Sequence, residues 1–201
     1  MHNLPETEQK QAIDDFLKQN DIELTPDEWA NVLISQTDPP FEHIPSALTN
    51  YLDFSKLSSV AKSKLALAAI ITDNVDLLKK LNVAVSYKFR FEQDKSYRPT
   101  ILELAAYINA ITIVEYLLTS NKQIDQIELL KSLSYAMNAN NLKIIELLLD
   151  YGIDRNYIDE YLELDYYNPT VVKLVDKYYE KHPKIETLRM HGIDIPMKPN
   201  K

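Results

Sequence analysis

Residues 105–118 read Ala-Ala-Tyr-Ile-Asn-Ala-Ile-Thr-Ile-Val-Glu-Tyr-Leu-Leu, and similar patterns occupy residues 69–81 and 136–149. Each copy has a pair of small residues, a polar break, and an aliphatic run with paired hydrophobic residues. The matched positions at the break, 36 and 31 residues apart, are Asn74, Ala110 and Asn141. Self-similarity at about 33 residues is typical of a solenoid of helix pairs, whose units bury apolar faces against their neighbours. The pattern therefore predicts an all-α fold.

The aliphatic run of each copy has the spacing of a helix with one buried face. In residues 111–118, apolar positions include the i, i+3, i+4, i+7 set. Asn109 and the pair Asn140-Asn141 suit the turn between two helices, because asparagine tolerates left-handed backbone geometry. Gly152 follows Leu149 where the end of a helix is expected.

Residues 100–118 resemble the ankyrin-repeat motif T-P-L-H-x-A-A-x-x-G-x-x-E-I-V-x-L-L-L. Residues 150–154, Asp-Tyr-Gly-Ile-Asp, are similar to the closing x-x-G-A-D of that family. The resemblance covers about residues 62–179 and is best in 100–154. Departures from the motif are Ile101 for proline, Glu103 for histidine, and Asn109 and Asn140 for glycine. We expect these departures to weaken the tight hairpin and the hydroxyl–histidine bonding of each unit.

Composition restricts the class of protein. A chain of 201 residues makes one ordinary domain or a small pair. Cysteine is absent, which excludes disulfides and fits a cytoplasmic protein. The chain has no apolar run of about 18–20 residues, and we do not expect its N-terminus to be a signal peptide.

Charge is uneven along the chain. Residues 1–60 hold eleven Asp and Glu against three Lys, whereas the other residues hold 19 acidic and 19 basic side chains. An acidic segment repels phosphate backbones, so nucleic-acid binding is disfavoured.

Three parts are predicted along the chain. Residues 1–60 form an acidic N-terminal helical region, in which residues 25–28 (Thr-Pro-Asp-Glu) begin a helix. Residues 61–182 hold three to four ankyrin-like repeats with an irregular C-terminal cap, and residues 183–201 form an extended tail. We expect no β-sheet beyond hairpin-like connections within the repeats.

The connection between the first two copies is five residues longer than its counterpart in the next copy. Aromatic residues alternate there with Lys88 and Arg90, which predicts a short strand and a projecting hairpin at 87–98. Aromatic and guanidinium groups are enriched at binding hot spots. The ankyrin resemblance implies that hairpin tips and inner helices form a concave binding face. The candidate partner-binding residues are Phe89, Arg90, Phe91, Tyr97, Arg98, Tyr107 and Asn138.

Two sets of aromatic residues could serve the packing of the stack instead of a partner interface. The aromatic rings at 87, 89 and 91 also suit a plug that fills the gap between units. Six tyrosines fall between Tyr157 and Tyr179. Their amphipathic rings suit either a partner interface or a cap on the end of the stack, and we favour the cap.

No constellation indicates catalysis. The four histidines are scattered, and the two glycines, Gly152 and Gly192, cannot build a phosphate-binding loop. The acidic residues between 159 and 165 are explained by a solvated helix face. We therefore predict no catalytic residues, no cofactor and no metal, and a non-enzymatic protein with a protein partner and no membrane partner.

Residues 44–63 resemble an F-box, which docks on the Skp1 adaptor of ubiquitin ligases. The resemblance rests on Ile44-Pro45 and on Tyr-Leu-Asp-Phe at 51–54, although the Leu-Pro start lies farther away in that family. A packed helix ahead of the first repeat explains the segment equally well. Three hypotheses stay open: a protein-interaction module, a substrate adaptor with Skp1 as partner, and an inhibitor or antidote of an enzyme. A bacterial effector secreted into a host-cell cytosol is compatible with the composition, which is rich in Asn, Lys, Ile and Tyr.

Overall fold

The computed structural model describes residues 5–35, 49, 51–84, 86–89, 98–120, 123–182, 187–190 and 193–196. Helices dominate these residues, and a 3₁₀ turn at Leu164–Tyr166 joins the last two. The helices are α1 (Glu6–Gln19), α2 (Pro26–Ser35), α3 (Ser59–Ile71), α4 (Val75–Leu81), α5 (Ile101–Ile108), α6 (Ile111–Ser120), α7 (Gln126–Asn138), α8 (Leu142–Gly152), α9 (Arg155–Tyr161) and α10 (Pro169–Lys181).

From α3 onward the helices form two layers. Helices α3, α5, α7 and α9 pack one on the next in a first layer, and α4, α6, α8 and α10 do so in a second. Consecutive helices make units 1 (α3/α4), 2 (α5/α6), 3 (α7/α8) and 4 (α9/α10). The predicted all-α stack of helix pairs is confirmed.

The turn inside each of the first three units has the same geometry. The backbone N–H groups of Asn74, Ala110 and Asn141 donate to the carbonyls of Ala69, Ala105 and Ala136 at 2.8, 2.9 and 2.9 Å. The residue before each donor is left-handed, with φ of 48° at Asp73, 66° at Asn109 and 58° at Asn140. These positions are the ones that the sequence pattern matched, so the register of the three copies is confirmed.

The small residues of each copy allow the helices to approach closely. Ala69, Ala105 and Ala136 are all fully buried, where a larger side chain would push neighbouring helices apart. Around them lie long aliphatic side chains such as Leu102, and Leu133 in the next unit. The apolar core therefore runs continuously along the stack.

The turn between α5 and α6 is hydrogen-bonded to both neighbouring units. The Asp73 carboxylate of unit 1 accepts from the Thr112 N–H at 3.0 Å, the Thr112 hydroxyl at 2.7 Å and the Ile113 N–H at 2.9 Å. The side-chain amide of Asn141 in unit 3 donates to the carbonyls of Ala106 at 2.7 Å and Tyr107 at 3.0 Å. Unit 1 thus provides an acceptor for backbone N–H groups at the start of α6, and unit 3 provides a donor for backbone carbonyls at the end of α5.

Helix α5 begins with a capping box, which stands in place of the hydroxyl–histidine bonding that the ankyrin motif would supply. The Glu103 N–H donates to the Thr100 hydroxyl at 3.2 Å, and the Thr100 N–H donates to the Glu103 carboxylate at 3.1 Å. The glutamate therefore satisfies backbone groups at the helix start, as a capping box does. The expectation that Glu103 weakens this end of unit 2 is wrong for that reason.

The second N-terminal helix packs on unit 1. Helix α2 begins at the predicted Thr25-Pro26 and lies against α3. The Ser58 N–H donates to the Asp27 carboxylate at 2.9 Å. The Trp29 and Tyr51 rings stack with centroids 4.7 Å apart. Burial, together with a hydrogen bond to Asp14, raises the pKa of Tyr51 to about 12.

Two of the six tyrosines between Tyr157 and Tyr179, namely Tyr167 and Tyr178, are hydrogen-bonded to residues outside unit 4. The Tyr178 hydroxyl donates to the Ile153 carbonyl, and the Arg155 guanidinium lies 4.0 Å from the centre of the Tyr179 ring. Burial and the nearby Asp159 carboxylate raise the pKa of Tyr179. Tyr161 and Tyr166 are by contrast 59% and 84% exposed. The other four rings are buried or half-buried, which fits the cap interpretation for those four.

The C-terminal residues include a pair of strands, β1 (Thr187–Met190) and β2 (Ile193–Pro196), which are antiparallel. The expectation of no β-sheet beyond connections within the repeats is wrong here.

Candidate functional site

A groove crosses units 2 and 3 on the exposed side of the first layer. Its volume is ≈ 610 Å³, and its lining residues are Lys88, Arg98, Pro99, Glu103, Lys131, Ser134 and Tyr135. The first three come from the base of the connection between units 1 and 2, Glu103 comes from α5, and the rest come from α7. Three separate segments of the chain therefore converge on this groove.

The base of the long connection is held by a short antiparallel contact. Lys88 and Thr100 form an isolated β-bridge, and the Phe89 N–H donates to the Pro99 carbonyl at 3.0 Å. Phe89 is buried, and its ring meets the Tyr87 ring edge-on with centroids 5.3 Å apart. Because neighbouring side chains of an extended segment point to opposite sides, the burial of Phe89 leaves Lys88 exposed.

Charge is distributed unevenly in the groove. The lining holds three cationic side chains, Lys88, Arg98 and Lys131, and one carboxylate, Glu103. The Glu103 carboxylate is engaged in the capping box, and this residue is only 6% exposed. Among the described lining residues, cationic side chains therefore outnumber carboxylates.

A second carboxyl group lies beside Glu103. Burial, reinforced by the carboxylates of Glu103 and Asp125, raises the pKa of Glu128, while a hydrogen bond from Thr100 and the charge of Lys88 oppose the rise. Within the described part of the chain its Oε1 atom is buried without a hydrogen-bond partner. The acidic groups here are thus held inward, between units 2 and 3.

Tyrosines continue the groove along the first layer. Tyr107 is 51% exposed, and its ring meets the Tyr135 ring edge-on with centroids 6.2 Å apart. The Ser134 and Tyr167 hydroxyls are hydrogen-bonded at 3.3 Å. Tyr107, Tyr135 and Tyr167 form what we call the tyrosine row, which spans units 2, 3 and 4. Such rings combine apolar area with a polar tip, as interfaces require.

The predicted site residues fall into three groups. Arg98 lines the groove, while Tyr107 and Asn138 are exposed on α5 and α7. Arg90, Phe91 and Tyr97 lie outside the described residues. Phe89 is 2% exposed, so its ring packs into the core, which fits the alternative of a plug between units, and it is not carried into the surface proposed below.

Several groove residues were not singled out by the sequence. Lys131, Ser134 and Tyr135 lie on α7, on the side that leads to Asn138. Their spacing of three, four and seven residues is that of one helical face, and this signal could have found them.

The remaining sequence candidates do not form a further site. Among the described residues, no three His, Asp or Glu side chains are grouped to hold a metal ion. In the acidic stretch, Asp159 pairs with Arg155 at 3.7 Å. No helix that the structure describes is long and apolar enough to cross a membrane. Tyr51 is stacked on Trp29 and Leu52 is buried, so the described part of the F-box-like segment packs against the N-terminal helices.

Comparison with protein families identifies the repeats. Residues 65–159 match the family model of ankyrin repeats, with 3 copies. No curated protein and no solved structure matched the chain. The matched range covers most of unit 1, all of units 2 and 3, and the start of unit 4, and these copies are the ankyrin repeats that the sequence predicted.

Proposed function

We propose, on the premise that residues 65–159 are ankyrin repeats, that this chain is a non-enzymatic module that binds a partner protein through its first layer. Ankyrin repeats are generic protein–protein interaction modules. The observation that carries the proposal is the groove of ≈ 610 Å³ and the tyrosine row beside it, on one face of the stack.

Rigidity is the physical basis of the proposed binding. Most of the groove side chains stand on α5 and α7, and the α5–α6 turn is hydrogen-bonded to both neighbouring units. Side chains that are held in place before docking lose less conformational entropy when a partner binds. The stack therefore offers a preorganised surface rather than a flexible one.

The proposed contact set combines predicted and newly found residues. Arg98, Tyr107 and Asn138 are kept from the sequence prediction, and Arg90, Phe91 and Tyr97 stay predicted contacts on the connection. The additions are Lys88, Lys131 and Tyr135, because they line the groove or its edge.

The proposal is tested by capture of partners with the full-length chain, followed by chemical cross-linking and mass spectrometry. We expect one stoichiometric partner, cross-linked near α5 and α7, that the double variant Arg98→Glu/Tyr107→Ala no longer captures. The matched control is Lys143→Glu/Glu146→Ala, which changes exposed residues on α8 in the second layer. Equal capture by both variants would place the binding surface elsewhere.

The same capture separates the finer hypotheses. Skp1 among the captured proteins would support a substrate adaptor. A captured enzyme whose activity falls on addition of this chain would support an inhibitor or antidote. A partner found only in the lysate of a host cell would support an effector.

A further inference from the structure

We infer that Tyr166 is a phosphorylation site, modified by a protein tyrosine kinase that selects acidic sequences. The residue ends the 3₁₀ turn Leu164–Tyr166, which joins α9 to α10 in unit 4. Phosphorylation there would be a property beyond the proposed binding function and does not depend on it.

Exposure distinguishes Tyr166 from the other tyrosines that the structure describes. It is 84% exposed, whereas the next most exposed, Tyr161 and Tyr107, are at 59% and 51%. Within the described part of the chain, the Tyr166 hydroxyl has no hydrogen-bond partner and its ring has no ring contact. The phenol oxygen is therefore free to act as a nucleophile.

The backbone of the turn is easily opened. It is closed by the Tyr166 N–H, which donates to the Glu163 carbonyl at 3.2 Å, and by the Tyr167 N–H. The latter donates to the Leu164 carbonyl at 3.0 Å. Leu162 and Tyr167, on either side, already have extended backbone angles, and no residue of the turn is buried. Because so little local structure is lost on opening, this segment can enter the cleft of a kinase, where the acceptor lies in line with ATP.

The charge of the surrounding stretch indicates the kind of kinase. Residues 156–172 hold four acidic side chains and no Lys, Arg or His. One of them, Asp159, pairs with Arg155 at 3.7 Å. Glu163 and Asp165, just before the exposed tyrosine, are themselves exposed. Kinases discriminate among substrates by such charge patterns, and a basic substrate cleft attracts an acidic segment.

Tyr161 has a similar acidic sequence but a different structure. Asp159 and Glu160 precede it directly. It is the last residue of α9, and its ring stacks on the Tyr157 ring with centroids 6.1 Å apart. The charge of Glu160, together with a hydrogen bond to it, raises the pKa of Tyr161. The structure therefore favours Tyr166 where the acidic sequence alone does not choose between the two.

Two further tyrosines are disfavoured by position or by charge. Tyr107 lies within α5, and its ring meets the Tyr135 ring edge-on. A helical backbone would have to unwind before this phenol could enter a kinase cleft. Tyr97 lies outside the described residues, and the sequence places the cations Lys95 and Arg98 beside it, which a basic cleft repels.

The reaction is a phosphoryl transfer from ATP. The Tyr166 phenol oxygen forms a bond to the γ-phosphorus, the bond from that phosphorus to the β–γ bridging oxygen breaks, and ADP leaves. The phenolic proton passes to the catalytic base of the kinase. The product phosphate carries a charge of about −1.5 to −2 near neutral pH. It would stand one residue from Tyr167, which bonds Ser134, at the unit 4 end of the tyrosine row.

The test treats the full-length chain with ATP and a tyrosine-kinase catalytic domain that phosphorylates poly(Glu,Tyr), followed by intact-mass measurement and peptide mapping. We expect one phosphoryl group per chain, on Tyr166, added at least about tenfold faster than at any other tyrosine. Tyr166→Phe should remove this incorporation. The matched control is Tyr161→Phe, which removes a neighbouring exposed phenol and should leave the rate within about twofold of the unchanged chain.

Selection by acidic residues is tested separately. Glu163→Gln/Asp165→Asn should lower kcat/KM of the kinase at least about fivefold, because a basic cleft loses two attracting charges. Glu115→Gln/Glu146→Gln removes the same charge from exposed positions on α6 and α8. This control should stay within about twofold, since distant surface charges are screened by salt. Thermal melts establish that each variant is folded.

Three results would overturn the inference. The first is phosphate on Tyr107 or Tyr161 while Tyr166 stays unmodified. The second is equal kcat/KM for the Glu163/Asp165 variant and its control, which would refute selection by acidic sequence. The third is a folded chain that takes up no phosphate while the kinase phosphorylates poly(Glu,Tyr) in the same reaction, a result that would leave the proposed binding function standing.

Discussion

Units 2 and 4 are held in the same stack by different means. Around unit 2, short side chains reach across to a neighbouring turn: Asp73 bonds the start of α6, and Asn141 bonds the end of α5. In unit 4, large rings bond and pack instead, with Tyr178 on the Ile153 carbonyl and Tyr167 on Ser134.

The difference follows from the number of neighbours. A central unit has a similar unit on each side, so short side chains find the same backbone groups at a regular distance. A terminal unit covers an apolar face on one side and meets water on the other, a position that suits amphipathic rings. The ankyrin match accordingly ends at residue 159, inside unit 4.

The largest expected loss of stability comes from a cavity in the core of unit 2. Leu117 is 2% exposed, and Leu117→Ala should lower the free energy of unfolding by about 2–5 kcal/mol. Urea unfolding followed by circular dichroism measures this change. Glu115→Ala, at an exposed position of the same helix, is the control and should stay within about 0.5 kcal/mol. A stable Leu117→Ala variant would contradict the register of the stack.

The bonds between units are tested at Asp73. Asp73→Ala removes the acceptor for three donors at the start of α6 and places alanine at a φ of 48°. We expect a loss of roughly 2–3 kcal/mol in unfolding free energy, from the missing cap and the left-handed backbone.

Asp73→Asn is the matched variant, because asparagine tolerates the backbone and keeps one acceptor oxygen. It should lose about half as much stability in the same urea experiment. No loss in Asp73→Asn beside the full loss in Asp73→Ala would show that the hydrogen bonds contribute little.

The attachment of unit 4 is tested at its tyrosines. Tyr178→Phe removes the hydroxyl that bonds Ile153 and leaves that carbonyl without this donor, so we expect a loss of about 0.5–1.5 kcal/mol. Tyr166→Phe removes a hydroxyl from an 84% exposed ring and should have no measurable effect. Hydrogen exchange of α10 amides would report local opening of unit 4, and a uniform change along the stack would argue against a separate cap.

The smallest expected effect is on the pH dependence of stability, and it concerns Glu128, the partly buried acid between units 2 and 3. The folded state raises the pKa of Glu128 above its ordinary value of 4.5, so it holds the proton more tightly than the unfolded chain does. Stability therefore falls as pH rises from that ordinary value through the raised pKa. Glu128→Gln should remove this fall and melt at a higher temperature than the unchanged chain at neutral pH.

Thermal melts between about pH 4 and pH 8 measure the difference. The control is Glu146→Gln, an exposed carboxyl of α8. Parallel pH profiles of the unchanged chain and Glu128→Gln would show that this carboxyl does not titrate abnormally.

Much of the fold was predictable because it depends on local pattern. The breaks at Asn74, Ala110 and Asn141 marked the three turns, and the same residues donate the matched turn bonds. Of the asparagines expected to suit these turns, Asn109 and Asn140 are left-handed, whereas Asn141 has a φ of −84°.

What could not be predicted depends on contacts between distant residues. Asp73 meets Thr112, 39 residues away, only because unit 1 stacks on unit 2 in one register. The alternation of residues along 87–91 indicated an extended segment with two faces, but it did not indicate which face is buried. The face that carries Phe89 is the buried one. Lys131 meets Lys88 in the groove only because unit 3 stacks on unit 2, so the helical spacing on α7 could indicate a shared face but not the groove. The β1–β2 pair was missed because the prolines nearby suggested a tail.

The two side chains that reach the α5–α6 turn limit how the repeats can be rearranged. Asp73 and Asn141 belong to the flanking units, yet both act on unit 2. A helix pair cut out and moved elsewhere would leave both bonding partners behind. The exchangeable building block in this protein is therefore an overlapping triplet of units, and engineered insertions or deletions have to carry the turn residues of both flanks with them.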